Sequence, residues 1–111
     1  METNNTPASV TDTIIAQLGG ARIFAMAFDA RRSMAREDSI TLRIAASLVK
    51  STKGRATHVR VTLDASDTYK VEALQVGKLD AIGTTVAEFE GVYADMLKSI
   101  VEGMTGLYLS L

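Results

Sequence analysis

Thr85–Leu107, TVAEFEGVYADMLKSIVEGMTGL, carries the longest run of helical periodicity in the chain. Val86, Phe89, Tyr93, Met96, Leu97, Ile100 and Met104 recur at spacings of three and four, which stacks them on one stripe of a helix. Val92 and Val101 widen that stripe. Thr85 and Glu88 match a capping box, in which a hydroxyl and a carboxylate each satisfy a free amide of the first turn. Gly106 is placed to end the helix, with Gly103 as an earlier terminator. Gly91 costs about 1 kcal/mol relative to alanine in a helix interior, unless it marks a later start or a close strand crossing. The spacing predicts one long C-terminal helix, and the rest of the chain must supply what it covers. Glu88, Asp95 and Glu102 fall on its opposite side as an acidic stripe, which suits either a solvated face or a surface for a partner.

The segments before it read mostly as strands. Ser39–Val49 alternates, with Ile40, Leu42, Ile44, Ala46 and Leu48 inward and Thr41, Arg43, Ala45 and Ser47 outward. Thr57–Leu63 alternates again, with Val59, Val61 and Leu63 inward and His58, Arg60 and Thr62 outward. Between them KSTKGRA contains Gly54, so the pair predicts an antiparallel hairpin with a basic, mobile tip. Tyr69–Val76 is a further strand, with Tyr69, Val71 and Ala73 on one side. Arg22–Phe28, RIFAMAF, is apolar on both faces and predicts a central or doubly covered strand, although its Ala and Met content also suits a helical turn. Asp29–Asp38, DARRSMARED, lacks a pattern and reads as a loop, with a helix as the competing assignment. Asp64–Thr68 is a turn rich in residues that bond their own backbone. Thr11–Leu18 is a short helix ended by Gly19-Gly20.

These elements predict an α+β fold: an antiparallel meander of four strands, or five if Leu79–Ile82 adds one, covered on one face by the C-terminal helix, with a short N-terminal helix. The chain has 111 residues, of which 47% are hydrophobic. That is enough for one compact core, here expected over residues 11–111 behind a flexible leader, residues 1–10. The leader lacks the basic and apolar regions of a signal peptide. No apolar run reaches the roughly 18 residues a membrane span needs. The terminal LYLSL must tuck against the core or enter a second subunit, since an apolar end in water is unfavourable.

Charge is unevenly spread. From Arg22 to Arg60 nine basic residues meet three acidic ones, whereas from Val61 onward three lysines meet eight acids. Such a split means either a basic face for an anionic partner or basic strands paired with acidic elements inside the fold. The candidate binding residues are Arg31, Arg32 and Arg36, the densest basic cluster, with Arg43, Lys53, Arg55, His58 and Arg60. Arginine forks suit phosphate and carboxylate alike. Glu88, Asp95 and Glu102 form the candidate partner face.

Several chemistries find no support. The chain has no cysteine, which excludes disulfides, thiolate metal sites and cysteine nucleophiles. Gly19-Gly20 has no following Lys-Ser/Thr and no preceding strand, so a phosphate loop does not fit. His58 is the only histidine; it has the outward parity of its strand, and alone it makes a poor zinc site. No catalytic triad, metal ligand set or cofactor motif emerges.

Three groups of residues together look familiar: Leu18-Gly19-Gly20 with Phe24-Ala25-Met26; Asp67-Thr68-Tyr69 with Val71-Glu72; and Glu88-Phe89-Glu90-Gly91 with Tyr93, Asp95, Leu97 and Thr105-Gly106-Leu107-Tyr108. Over residues 14–111 the chain resembles a group of small proteins of bacteriophages, prophages and mobile elements. It departs from them at DARRSMARED, which stands where a shorter stretch is expected. The resemblance implies a phage or mobile-element setting in the bacterial cytoplasm and implies no reaction. The expected function is that of a small non-enzymatic accessory protein that binds a host, defence or replication protein, with homodimerisation through the tail or a sheet edge. The alternative is nucleic-acid binding through the Arg31–Arg60 region, against which stand a pI near 5.8 and outward strand positions without aromatic residues.

Overall fold

The computed structural model describes residues 7–64, 67–77 and 83–109. It is an α+β fold. Helices α1 (Pro7–Gln17) and α2 (Ala21–Ala27) precede strands β1 (Phe28–Ala35), β2 (Ser39–Ile44), β3 (His58–Leu63), β4 (Tyr69–Gln75) and β5 (Thr84–Val92), and helix α3 (Leu97–Thr105) follows. The five strands form one antiparallel sheet in the order β1-β2-β3-β4-β5.

The core follows strand alternation. Ile40, Leu42 and Ile44 of β2, Val59 and Val61 of β3, and Tyr69, Val71 and Ala73 of β4 are buried. They join Ile14 and Leu18, Ile23 and Ala27, and Leu97, Val101 and Met104 in one hydrophobic cluster. The inward sets read from β2, β3 and β4 are therefore core residues, with Leu63 only half-buried. Leu107 and Leu109 are buried as well, so the tail tucks against its own core; Ser110 and Leu111 lie outside the described residues.

The helix predicted over Thr85–Leu107 is two elements. Its first part is strand β5, paired along β4 from Gln75↔Thr84 to Tyr69↔Val92 with two register shifts. Thr84, Thr85, Val86, Phe89 and Val92 are β-branched or aromatic and suit a pleated surface. Gly91 has φ 66°, a left-handed conformation that no helix interior contains and that glycine adopts at a bulge. A 3-10 turn at Ala94–Met96 then leads into α3. Phe89 and Tyr93, expected on the buried stripe, are 48% and 61% exposed, and Met96 is exposed too. Gly106 does end the helix, with φ 79° and its N–H bonded to the Glu102 carbonyl.

The other departures have local causes. RIFAMA lies in α2 rather than in a strand, and only Phe28, the last residue of the expected strand, is extended, as the start of β1: Ala and Met favour the helix, Ile23 and Ala27 one turn apart are buried, and Met26 is exposed. DARRSMA forms edge strand β1 rather than a loop. Its pairing with β2 holds at Phe28↔Ile44, Asp29↔Arg43, Met34↔Thr41 and Ala35↔Ile40, with an irregularity between Asp29 and Met34. β2 ends at Ile44, and 3-10 turns at Ala46–Ser51 and Lys53–Arg55 replace the remainder of the strand expected to Val49. The tip between β2 and β3 is tied down: the Lys53 ammonium donates to the Gly103 carbonyl at 2.9 Å. The first helix begins at Pro7, inside the expected leader; residues 1–6 and the strand expected at Leu79–Ile82 lie outside the described residues. No described helix is long and apolar enough to cross a membrane.

Candidate binding surface

Residues of the opposite strand parity to the core set are half-buried at Thr41, Arg43, His58, Arg60, Thr62 and Lys70. Directly paired residues share a side of the sheet, so the register sets two rows across all five strands. One runs Met34, Thr41, Arg60, Glu72, Glu88; the other runs Asp29, Arg43, His58, Leu74, Thr85. We call this side the arginine face.

Its β1–β3 half carries a concavity of about 520 Å³ lined by Arg32, Met34, Arg36, Ser39, Thr41, His58 and Arg60. Four of the predicted binding residues, Arg32, Arg36, His58 and Arg60, thus converge although they span 29 positions of sequence. The irregular stretch of β1 makes this convergence. Ser33 Oγ accepts the Arg43 N–H at 3.0 Å and donates to the Asp29 carbonyl at 2.8 Å. A side-chain hydroxyl therefore stands in for a ladder partner where the backbone departs from the sheet. Asp29 Oδ1 accepts the Arg31 N–H at 3.1 Å, and its other oxygen lies 3.7 Å from Arg32 Nε. Strand irregularities re-aim side chains in this way. Beyond β1, the Arg36 N–H donates to the Ser39 carbonyl at 2.7 Å and closes the turn into β2.

The charges are incompletely matched. Arg60 Nη1 lies 3.5 Å from Glu72 Oε1, and Lys70 Nζ lies 3.9 Å from Glu88 Oε2. Among the described residues no carboxylate pairs with Arg36; its Nη2 approaches only Met34 Sδ, at 3.9 Å. Arg43 Nε is buried with no hydrogen-bond partner among the described residues. His58 Nδ1 is 2.8 Å from Thr57 Oγ1. Burial, then the cations of Arg43 and Arg60, hold the His58 pKa below its ordinary value, so near neutral pH the ring is an uncharged polar group.

The remaining predicted residues lie elsewhere. Arg43 shares its row with His58 but does not itself line the groove, and Arg31 lines a separate hollow of about 400 Å³ with Phe28, Asp29 and Ala45. Lys53 and Arg55 belong to the turn that packs on α3. The acidic stripe does not exist as a face, because its helix does not: Glu88 is on β5, Asp95 is in the Ala94–Met96 turn, and Glu102 is on α3. There Glu102 Oε2 accepts the Leu109 N–H at 2.7 Å and helps hold the tail. Ser33, Ser39, Met34 and Glu72 were not singled out from sequence. For Glu72 the parity of β4 was the available signal; for Ser33 there was none, since its role arises only from the irregular pairing.

No family model matches the chain, and no curated protein or solved structure matches it significantly.

Proposed function

We propose that this chain is a non-catalytic binding protein that engages a protein partner through its arginine face. The observation that carries this reading is the change of sign along one row of the sheet. Thr41 and Arg60 stand beside the arginines of the groove, and Glu72 and Glu88 continue the same row on β4 and β5. A protein surface can present the complementary pattern of acid and base, and such patterns set register and partner choice. A nucleic acid has one sign throughout. It would be attracted at the groove and repelled by the β4–β5 half, and no Phe, Tyr or Trp side chain lines the groove for base stacking.

On this proposal the three helices close one face of the sheet and leave the arginine face to the partner. The setting is that of a phage or mobile-element accessory protein in the bacterial cytoplasm, with a host, defence or replication protein as target. This part rests on the sequence resemblance alone.

The test is capture from a bacterial lysate by the tagged chain and by its Arg32→Glu/Arg36→Glu variant, with and without nuclease. A defined protein retained after nuclease and lost with the variant supports the proposal. Material lost on nuclease treatment, with affinity falling steeply as salt rises, would replace it with nucleic-acid binding.

A further inference from the structure

We propose that the groove of the arginine face is a site for a phosphomonoester carried by the protein partner; this rests on the protein-binding reading and deepens it. The donors converge from two strands and a turn: Arg32 from β1, Arg36 from the turn after it, and Arg60 from β3. Their charge is poorly neutralised. The Arg32 pair with Asp29 is long, at 3.7 Å, with the arginine side chain 69% exposed. Among the described residues Arg60 pairs with Glu72 alone, at 3.5 Å, and Arg36 has no carboxylate.

Two further donors stand in the wall. Ser39 and Thr41 line the groove, and neither hydroxyl has a hydrogen-bond partner among the described residues. Uncommitted hydroxyls in a groove that also holds the Arg36 guanidinium, which has no carboxylate among the described residues, and the long pairs of Arg32 and Arg60 are prepared for an acceptor from outside. A carboxylate offers two oxygens in one plane and a single charge. A phosphomonoester offers three terminal oxygens in a tetrahedral array and nearly two charges at neutral pH. Donors spread around a concavity fit the second geometry better than the first. At about 520 Å³ the groove also holds the side chain that bears the phosphate, and exposed Met34 at its edge gives that side chain an apolar contact. Glu72 and Glu88 bound the site on the β4 side, which disfavours a run of phosphodiesters continuing across the sheet.

The experiment follows backbone amide shifts of the whole chain during titration with four probes: inorganic phosphate, blocked phosphoserine, blocked aspartate and a short single-stranded oligothymidylate. The expected result is saturable movement of the Ser39, Thr41 and Arg60 amides with phosphate and phosphoserine, with phosphoserine binding about tenfold or more tighter than aspartate. Arg36→Gln, an exposed position, should weaken phosphoserine about tenfold, and Lys50→Gln, outside the groove, should leave it unchanged. Equal affinity for aspartate and phosphoserine would overturn the phosphate site while leaving a carboxylate-reading protein interface in place. Tightest binding by the oligothymidylate, steeply weakened by salt, would overturn both proposals. Indifference to Arg36→Gln, or groove amides that move with no probe, would overturn the phosphate site alone, since the capture experiment judges the interface separately.

Discussion

Arg60 and Glu72 face each other across β3 and β4, with Nη1 3.5 Å from Oε1. Glu72 is only 9% exposed and its other cross-strand neighbour is Glu88. Two carboxylates directly opposed on a sheet repel. Arg60 offsets that repulsion for Glu72, and Lys70 does so for Glu88 from 3.9 Å. The arginine is therefore at once a wall of the groove and a structural counter-charge. Because its side chain is partly exposed, screening limits the pair to about 1 kcal/mol. A double-mutant cycle with Arg60→Ala and Glu72→Gln, read by urea unfolding, should return a coupling of that size. A coupling indistinguishable from zero would remove the structural role.

Gly91 distinguishes strand from helix by the sign of one substitution. In a helix interior Gly91→Ala would stabilise the protein by about 1 kcal/mol. At φ 66°, with nothing within 4 Å of an added Cβ, the methyl meets no neighbour and the whole effect is backbone strain. Gly91→Ala should therefore destabilise by about 1–2 kcal/mol, read as a lower unfolding midpoint in urea.

Ser33 tests whether its hydroxyl holds the irregular part of β1. Ser33→Ala removes the acceptor of the Arg43 N–H and the donor to the Asp29 carbonyl. The expected loss is about 1–2 kcal/mol. Amide exchange at Arg43 should accelerate more than exchange at Val59 or Val61 in the sheet interior. Unchanged exchange at Arg43 would refute the bridging role.

The environment of His58 gives stability a pH dependence of definite sign. Its folded pKa lies below the ordinary 6.5 because of burial, Arg43 and Arg60. The unfolded chain thus takes up the proton first as pH falls. The contribution of the neutral ring is complete above about 6.5 and is lost as pH descends from there toward the lower folded value. The melting temperature of the wild type should fall as pH descends below about 6.5, and His58→Gln should flatten that part of the curve. An equal slope in both proteins would assign it to other groups.

Much of the core was legible. Period-two alternation at Ile40, Leu42 and Ile44 and at Val59 and Val61 reports burial directly, because a strand places alternate residues on opposite sides whatever its neighbours are. The candidate site was legible in composition only: Arg32, Arg36, His58 and Arg60 were recognisable as a basic set, whereas their meeting in one groove depends on register and on the irregularity of β1. Thr85–Val92 misled because residues three and four apart can also be residues of a bulged strand, and Gly91, the local contrary signal, weighs only about 1 kcal/mol against a helix until its φ is known. Ala21–Ala27 is too short for period to separate helix from strand.

The amino-acid sequence by itself determined the alternating strands β2, β3 and β4, the helix end at Gly106 and the imbalance of charge between the two halves, since each depends on neighbours a few residues away. Tertiary structure alone decided that Thr84–Val92 pairs with β4 instead of extending α3, that DARRSMA becomes an edge strand, and that Arg60 stands between the groove and Glu72. The physical reason is that a sheet satisfies its backbone groups through partners distant in sequence, so strand pairing can outweigh a local helical pattern.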